Sequence, residues 1–479
     1  MDELVHRWRL AVARRAFLAR AAGGLGGLAA GSLLARDAAA DPSVAAAGWP
    51  GAVRPFHVPP KAKRVIWLYM AGGMTHLDTF DHKPRLAAMD GQPMPESFTK
   101  GQQIAQLQGQ QLKCLAPQHP FARAGLSGQT ISTIFPEISA RIADRIAIVR
   151  SLHTEAINHD PAHTFMNTGS MISGRPAAGS WLWYGLGSDA EDLPGFVVMV
   201  STGRFGQSQP IAARQWHSGF LPGRFQGVEF RSKGDAVLYV NNPPGIGPAG
   251  QRDVVDSVSR LDALRGEMVD DPEVAARLAQ YELAFRMQAS VPDLVDLSDE
   301  TESTFALYGT RGGDGSFAAN CLLARRLAER GVRFIQLYHR DWDHHGSVRD
   351  HVRGTAAEVD RGAAALVEDL ARRGMLDDTL VVFGTEFGRT PMAQGNGRDH
   401  HMKAFSIWLA GGGVRPGITY GATDELGYDV AENPVSVHDL HATLLHLLGI
   451  DHKRLTIRAQ GRDFRLTDVA GHVVGDLLA

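Results

Sequence analysis

The chain has 479 residues, 44% of them hydrophobic, enough to bury a large core in one α/β domain with insertions or in two domains. A formal net charge of −3 carries no basic excess, which excludes nucleic acid as an expected partner. Cys114 and Cys321 lie far apart without Cys-x-x-Cys spacing, which excludes a disulfide framework and a thiolate zinc site, and both read as small buried hydrophobes.

Residues 1–40 have the layout of a cleavable export signal: an Arg-rich start, an uncharged Gly-, Ala- and Leu-rich stretch from Ala21 to Ala35, and small residues at Ala38-Ala39-Ala40. The apolar run is shorter than the roughly 20 residues of a membrane span and is diluted by glycine, so no stable span is expected after cleavage. Arg14-Arg15-Ala16-Phe17-Leu18 is similar to the twin-arginine signal, which implies export of the folded protein to the periplasm or the cell exterior. Residues 41–62, rich in Pro, Gly and Ala without a period, read as a linker.

Val65–Met70 is a short apolar run ending in Ala71-Gly72-Gly73, the pattern of a buried parallel strand feeding a loop. Ile146–Val149 and Phe196–Val200 read as further strands. Residues 203–300 break the rhythm: a Gly-, Arg- and Gln-rich stretch precedes helical segments at Val254–Met268 and Pro272–Gln288, read together as an inserted cap. Beyond it, Ser316–Arg330 is helical, Arg333–Tyr338 a strand, Glu358–Arg373 helical and Thr379–Phe383 a strand. This alternation predicts a mainly parallel sheet sandwiched by helices. Residues 471–479 are read as a C-terminal tail.

The chemistry-bearing residues fall in loops that follow strands, where open α/β sheets place their ligands. The 20 histidines bunch there. Gly72-Gly73-Met74-Thr75-His76-Leu77-Asp78 follows the first strand, and His339-Arg340-Asp341-Trp342-Asp343-His344-His345-Gly346 follows another. Thr385-Glu386-Phe387-Gly388-Arg389-Thr390 and Gly397-Arg398-Asp399-His400-His401 come later. So many ionisable groups in one strand-end loop are costly unless a metal, water or partners compensate. Mixed oxygen and imidazole donors suit zinc, manganese or iron, and calcium where carboxylates dominate.

On the stretches from Gly73 to Asp81, from Glu386 to Pro391 and from Gly397 to His400, the chain resembles a family known as domain of unknown function 1501. That family lies within the superfamily of alkaline phosphatases, sulfatases and phosphoglycerate mutases, and the resemblance runs from Lys63 to Leu466. His438 to Leu444 resembles the superfamily's closing helix. The resemblance implies an alkaline phosphatase-like domain over 63–470.

The resemblance further implies one or two divalent metals. Asp341 and His345 reproduce the superfamily's Asp-x-x-x-His pair, with His344 beside them as a further donor; Glu386 replaces an Asp whose neighbouring His is here Phe387; His400 matches a later His. The first-strand Asp falls on Gly72, leaving Asp78 as its substitute. The nucleophile position falls on His159, which is expected to act as ligand, base or nucleophile, with Thr164 as a fallback hydroxyl; no cysteine is near, which argues against a formylglycine sulfatase. Arg389 and Arg398 are expected to clamp an anion. The implied function is an exported metal-dependent hydrolase of phosphate or sulfate esters that uses metal-activated water. The alternative is a non-catalytic exported protein of the same fold that binds an anionic glycan or a protein partner.

Overall fold

The structure, a computed structural model, describes residues 49–238, 247–268 and 272–479. The expected export signal at 1–40 and residues 41–48 of the linker lie outside the described residues. The chain divides into two units, one comprising Pro50–Asn241 with Arg286–Ala479 and the other including Asn242–Phe285.

The larger unit is built on a nine-stranded sheet. Its strands are β1 (Arg64–Met70), β2 (Ile146–His153), β3 (Phe196–Ser201), β4 (Val228–Phe230), β5 (Phe334–His339) and β6 (Thr379–Gly384). An antiparallel ribbon of β7 (Gly388–Gln394) and β8 (Gly397–His401) stands apart from the sheet, which resumes with β9 (Phe405–Ala410), β10 (Ile418–Tyr420) and β11 (Val435–Ser436). The spatial order is β10-β2-β9-β6-β1-β5-β3-β4, with β11 beside β2. All are parallel except β9, which runs against both β6 and β2. The central strands are apolar on both faces, as a sheet covered on both sides requires.

Helix α1 (His159–Thr168), α2 (Ala178–Leu186) and the later closing helix (Val437–Leu447) cover one face. There the Tyr69 hydroxyl meets His163, Trp67 packs edge-on against His441, and Gly179 lies where a Cβ would strike Phe334. Helix α3 (Phe317–Glu329) covers the other face, with Phe317 edge-on to His339, and α4 (Val348–Arg372) packs on α3. The fold is therefore mixed α/β with a mostly parallel, helix-covered sheet.

Of the stretch 203–300, residues 203–238 and 286–300 belong to this larger unit. The smaller unit holds the helix Pro248–Met268 and the first part of the helix Pro272–Val295; within it, Arg252 pairs with both Asp256 and Glu282. Among the described residues, no helix is long and apolar enough to cross a membrane.

Candidate metal centre

Five loops at the carboxyl ends of β1, β2, β3, β5 and β6 meet at one end of the sheet, together with the β7–β8 ribbon. His159 opens α1 just beyond β2, where Pro161 in the first turn gives up no hydrogen bond. Asp343 and His345 follow β5, Glu386 follows β6, and His400 lies on β8 opposite Arg389 of β7. Gly72, after β1, takes φ +128° and passes so close to the Trp342–Asp343 backbone that a Cβ would overlap it.

His159, Asp343, His345 and His400 bring one donor atom each within 4.8 Å of one another. Asp343 Oδ1 lies 3.0 Å from His345 Nε2 and 3.5 Å from His400 Nε2, and Asp343 Oδ2 lies 3.3 Å from His159 Nε2. The two Nε2 atoms of His345 and His400 are 2.8 Å apart. Each ring is fixed from behind. His400 Nδ1–H donates to the Ile157 carbonyl at 2.9 Å, His345 Nδ1–H donates to Gln394 Oε1, and His159 Nδ1–H donates to Glu386 Oε1 at 3.0 Å. With the Nδ1 hydrogens so placed, all three Nε2 lone pairs point into the cluster.

Such convergence of lone pairs and a carboxylate is repulsive without a cation. The residues fit a divalent ion: at ligand distances of about 2.0–2.1 Å, tetrahedral donors stand about 3.3–3.4 Å apart, close to the spacings here. His345 and Asp343 are 27% and 24% exposed, so the cluster opens to solvent on one side.

Glu386 supports this set from beneath. It is fully buried and accepts the Gly72 N–H at 3.0 Å and the Thr385 hydroxyl at 3.0 Å as well as the His159 ring. Burial pushes its pKa up, but His163 and His159 overcome that and hold it below the usual carboxylate range. His163 lies 3.6 Å from Glu386 and 3.0 Å from the Tyr69 hydroxyl, making a second, buried donor group of His159, His163 and Glu386. Burial would push the Asp343 carboxyl up, but the surrounding imidazoles, wherever an Nε2 carries a proton and donates to it, and Arg389 hold it far below the usual range. Burial lowers His400 to about 4.

The structure does not bring Asp341, His344 or Asp78 to the cluster. Asp341 takes φ +86°, which turns its carboxylate to backbone N–H groups of residues 205–207. His344 is buried and donates Nε2–H to the Asp341 carbonyl at 2.8 Å, with burial lowering its pKa to about 3. Asp78 is consumed by an ion pair with Arg398. The expected anion clamps are committed as well. Arg398 serves Asp78 and the carbonyls of Leu115, Ala116 and Thr390, while Arg389, fully buried, serves the carbonyls of Gly73, Gly72 and Arg398 and the Asp343 carboxylate at 2.5 Å. Thr164 spends its hydroxyl on the Asp160 carbonyl.

Asp343 and His163 therefore join the centre where the resemblance points to Asp341. For His163 a signal exists, since His159 and His163 stand four apart on one helix face; for Asp343, the signal is only its place two residues before His345 in the same strand-end loop.

A family model described as "Protein of unknown function (DUF1501)" matches residues 62–478. The chain belongs to that family. No curated protein matches it in sequence. Solved structures similar to this DUF1501 chain include Ps i-CgsB, at 12% identity and TM-score 0.36, covering 81% of this chain and 72% of that one. Another is a protein in the alkaline phosphatase superfamily from Vibrio parahaemolyticus, at 9% identity and TM-score 0.34, covering 84% and 70%. A third is the PsFucS1 sulfatase from Pseudoalteromonas sp., at 10% identity and TM-score 0.32, covering 81% and 68%.

Proposed function

We propose that this DUF1501 chain is an exported, metal-dependent hydrolase of phosphate or sulfate esters. The observation that carries the reading is the pair of facing Nε2 atoms of His345 and His400, 2.8 Å apart beside Asp343, with both Nδ1 atoms committed to carbonyl-type acceptors. Export is supported by Arg14-Arg15 and the small-residue run that follows.

Asp343, His345 and His400 make a three-residue donor set, and catalytic metal sites keep a further position open. A bound divalent ion would supply Lewis-acid polarisation of a phosphoryl or sulfuryl oxygen. His159 is the proton acceptor. Glu386 fixes its Nδ1–H, as a buried carboxylate orients the imidazole of a catalytic triad, and its Nε2 lies 3.3 Å from Asp343 Oδ2. Arg389 offsets the charge of Asp343 and pins the loop after β1. The ester is attacked directly by water, because the hydroxyls of Thr164 and Thr385 are buried, 2% and 1% exposed, and out of reach of an ester.

The test is metal analysis of the mature protein with His345→Ala, His400→Ala and His159→Gln, followed by a screen of phosphate and sulfate esters. The first two variants are expected to lose the metal, while His159→Gln keeps it and loses turnover by about 10²–10⁴-fold. Metal retained in His345→Ala and His400→Ala together would remove the site. Metal bound without turnover of any ester would move the reading to the non-catalytic glycan- or protein-binding alternative, which the committed hydroxyls also favour.

A further inference from the structure

Behind Asp343 lies a two-step clamp. Asp341 is fully buried, and its carboxylate accepts N–H from Phe205 at 2.5 Å and Gly206 at 3.2 Å on Oδ2, and from Gln207 at 2.5 Å on Oδ1. The loop approaches so closely that a Cβ on Gly203 would overlap the Asp341 carboxylate. Gln207, held in this way, returns its side chain toward the cluster: its Oε1 accepts the Asp343 N–H at 3.0 Å and its Nε2 donates to the Asp343 carbonyl at 2.8 Å. The peptide groups on both sides of Asp343 are thereby fixed, leaving only its side-chain torsions to place the carboxylate among the imidazoles.

We infer that Asp341 is a positioning residue that sets the metal affinity of the centre through the 203–207 loop and Gln207, without itself contacting the ion. The inference rests on the metal-centre reading above. The coupling is reciprocal: whatever factor the ordered loop adds to metal affinity, bound metal adds to the order of the loop. Metal loading therefore also fixes the exposed Arg204 and Phe205 at the edge of the site. Partners that orient a ligand without touching the ion are worth about 10–100-fold in metal affinity. Asp341→Asn is nearly isosteric, but it replaces one carboxylate oxygen with an amide donor that faces N–H groups. Gly203→Ala expels the same loop while leaving every carboxylate in place.

Zinc titration by calorimetry and hydrogen exchange by mass spectrometry on the full chain test the clamp. Asp341→Asn and Gly203→Ala are each expected to weaken zinc binding by about 10–100-fold and to speed exchange over residues 205–207. In the wild type, zinc slows exchange there. Gln207→Ala is expected to weaken zinc binding while Phe205 and Gly206 stay protected, and the cobalt-loaded absorption spectrum should shift in all three variants. If the loop opens in Asp341→Asn and Gly203→Ala while zinc affinity stays within about twofold of wild type, the clamp is overturned and the metal centre stands. Loss of zinc in Asp341→Asn with Gly203→Ala unchanged would make Asp341 a direct ligand, which also overturns it. A wild-type protein that binds neither zinc nor cobalt overturns the metal-centre reading and the clamp together.

Discussion

Asp78 and Arg398, 320 positions apart, meet as an ion pair in which Nε lies 2.8 Å from Oδ2 and neither side chain is exposed. Thr75 Oγ1 and the Gln118 N–H also donate to the Asp78 carboxylate, at 2.8 and 2.7 Å. Burial alone would raise the Asp78 pKa, yet Arg398 holds it below the ordinary value. The loop after β1 and the β7–β8 ribbon are thus tied together by a buried charge pair.

Removing one partner leaves the other charged and dry. Asp78→Asn is therefore expected to cost about 3–5 kcal/mol in denaturant unfolding, while the folded fraction keeps its metal stoichiometry. If Arg398→Lys abolished ester or sulfate binding at unchanged stability, Arg398 would instead be an anion clamp.

A second expectation follows from His345 and His400, whose Nε2 lone pairs face each other at 2.8 Å. A cation between them relieves the repulsion, so ligand and fold stabilise each other. Metal at 100 times its dissociation constant is expected to add about 2.7 kcal/mol to stability. Scanning calorimetry with and without a chelator should show that increment in the wild type and its loss in His345→Ala. Equal melting temperatures with and without added metal would remove the cation from the centre.

Much of this architecture is legible in the sequence because its causes are local. Val65–Met70 and Thr379–Phe383 are continuous apolar runs, and they become central strands buried on both faces. The loops that follow them hold the ionisable residues for the same reason. What spacing cannot carry is the direction of a side chain within a loop. Asp341 matches the Asp-x-x-x-His pattern, but its φ of +86° points the carboxylate into residues 205–207, and nothing in the segment from Asp341 to His345 marks that inversion. Likewise, Arg389 and Arg398 look like free cations until carbonyls from residues far away in sequence, such as Gly73 and Leu115, are brought to them by the fold.

Thr164 gives a narrower test of the chemistry. Its hydroxyl donates to the Asp160 carbonyl at 2.9 Å, one turn back along α1, and the side chain is 2% exposed. Thr164→Val keeps the shape and removes the hydroxyl. Stability is expected to change by about 1 kcal/mol or less, and metal content and ester turnover should stay at wild-type levels. A collapse of turnover at unchanged metal content would make Thr164 the nucleophile and exclude direct attack by water.

Away from the centre, Asp360 supplies a pH dependence of known sign. It lies on α4 and caps the helix Pro136–Arg141, accepting the Glu137 and Ile138 N–H groups at 2.8 and 2.9 Å. Burial dominates over these two bonds and raises its pKa to about 6, against about 3.9 in the unfolded chain. Above pH 6 the carboxylate is charged in both states, and the folded protein bears the cost of burying it. As pH falls from 6 toward 4, the folded state takes up the proton first, and this group adds stability. Asp360→Asn removes the titration and keeps one acceptor. Between pH 7 and pH 5 the wild type should therefore gain about 1 kcal/mol relative to Asp360→Asn, measured as the difference of two unfolding curves at each pH. A gap that stayed constant or moved the other way would mean that the two helix N–H bonds outweigh burial and hold Asp360 ionised.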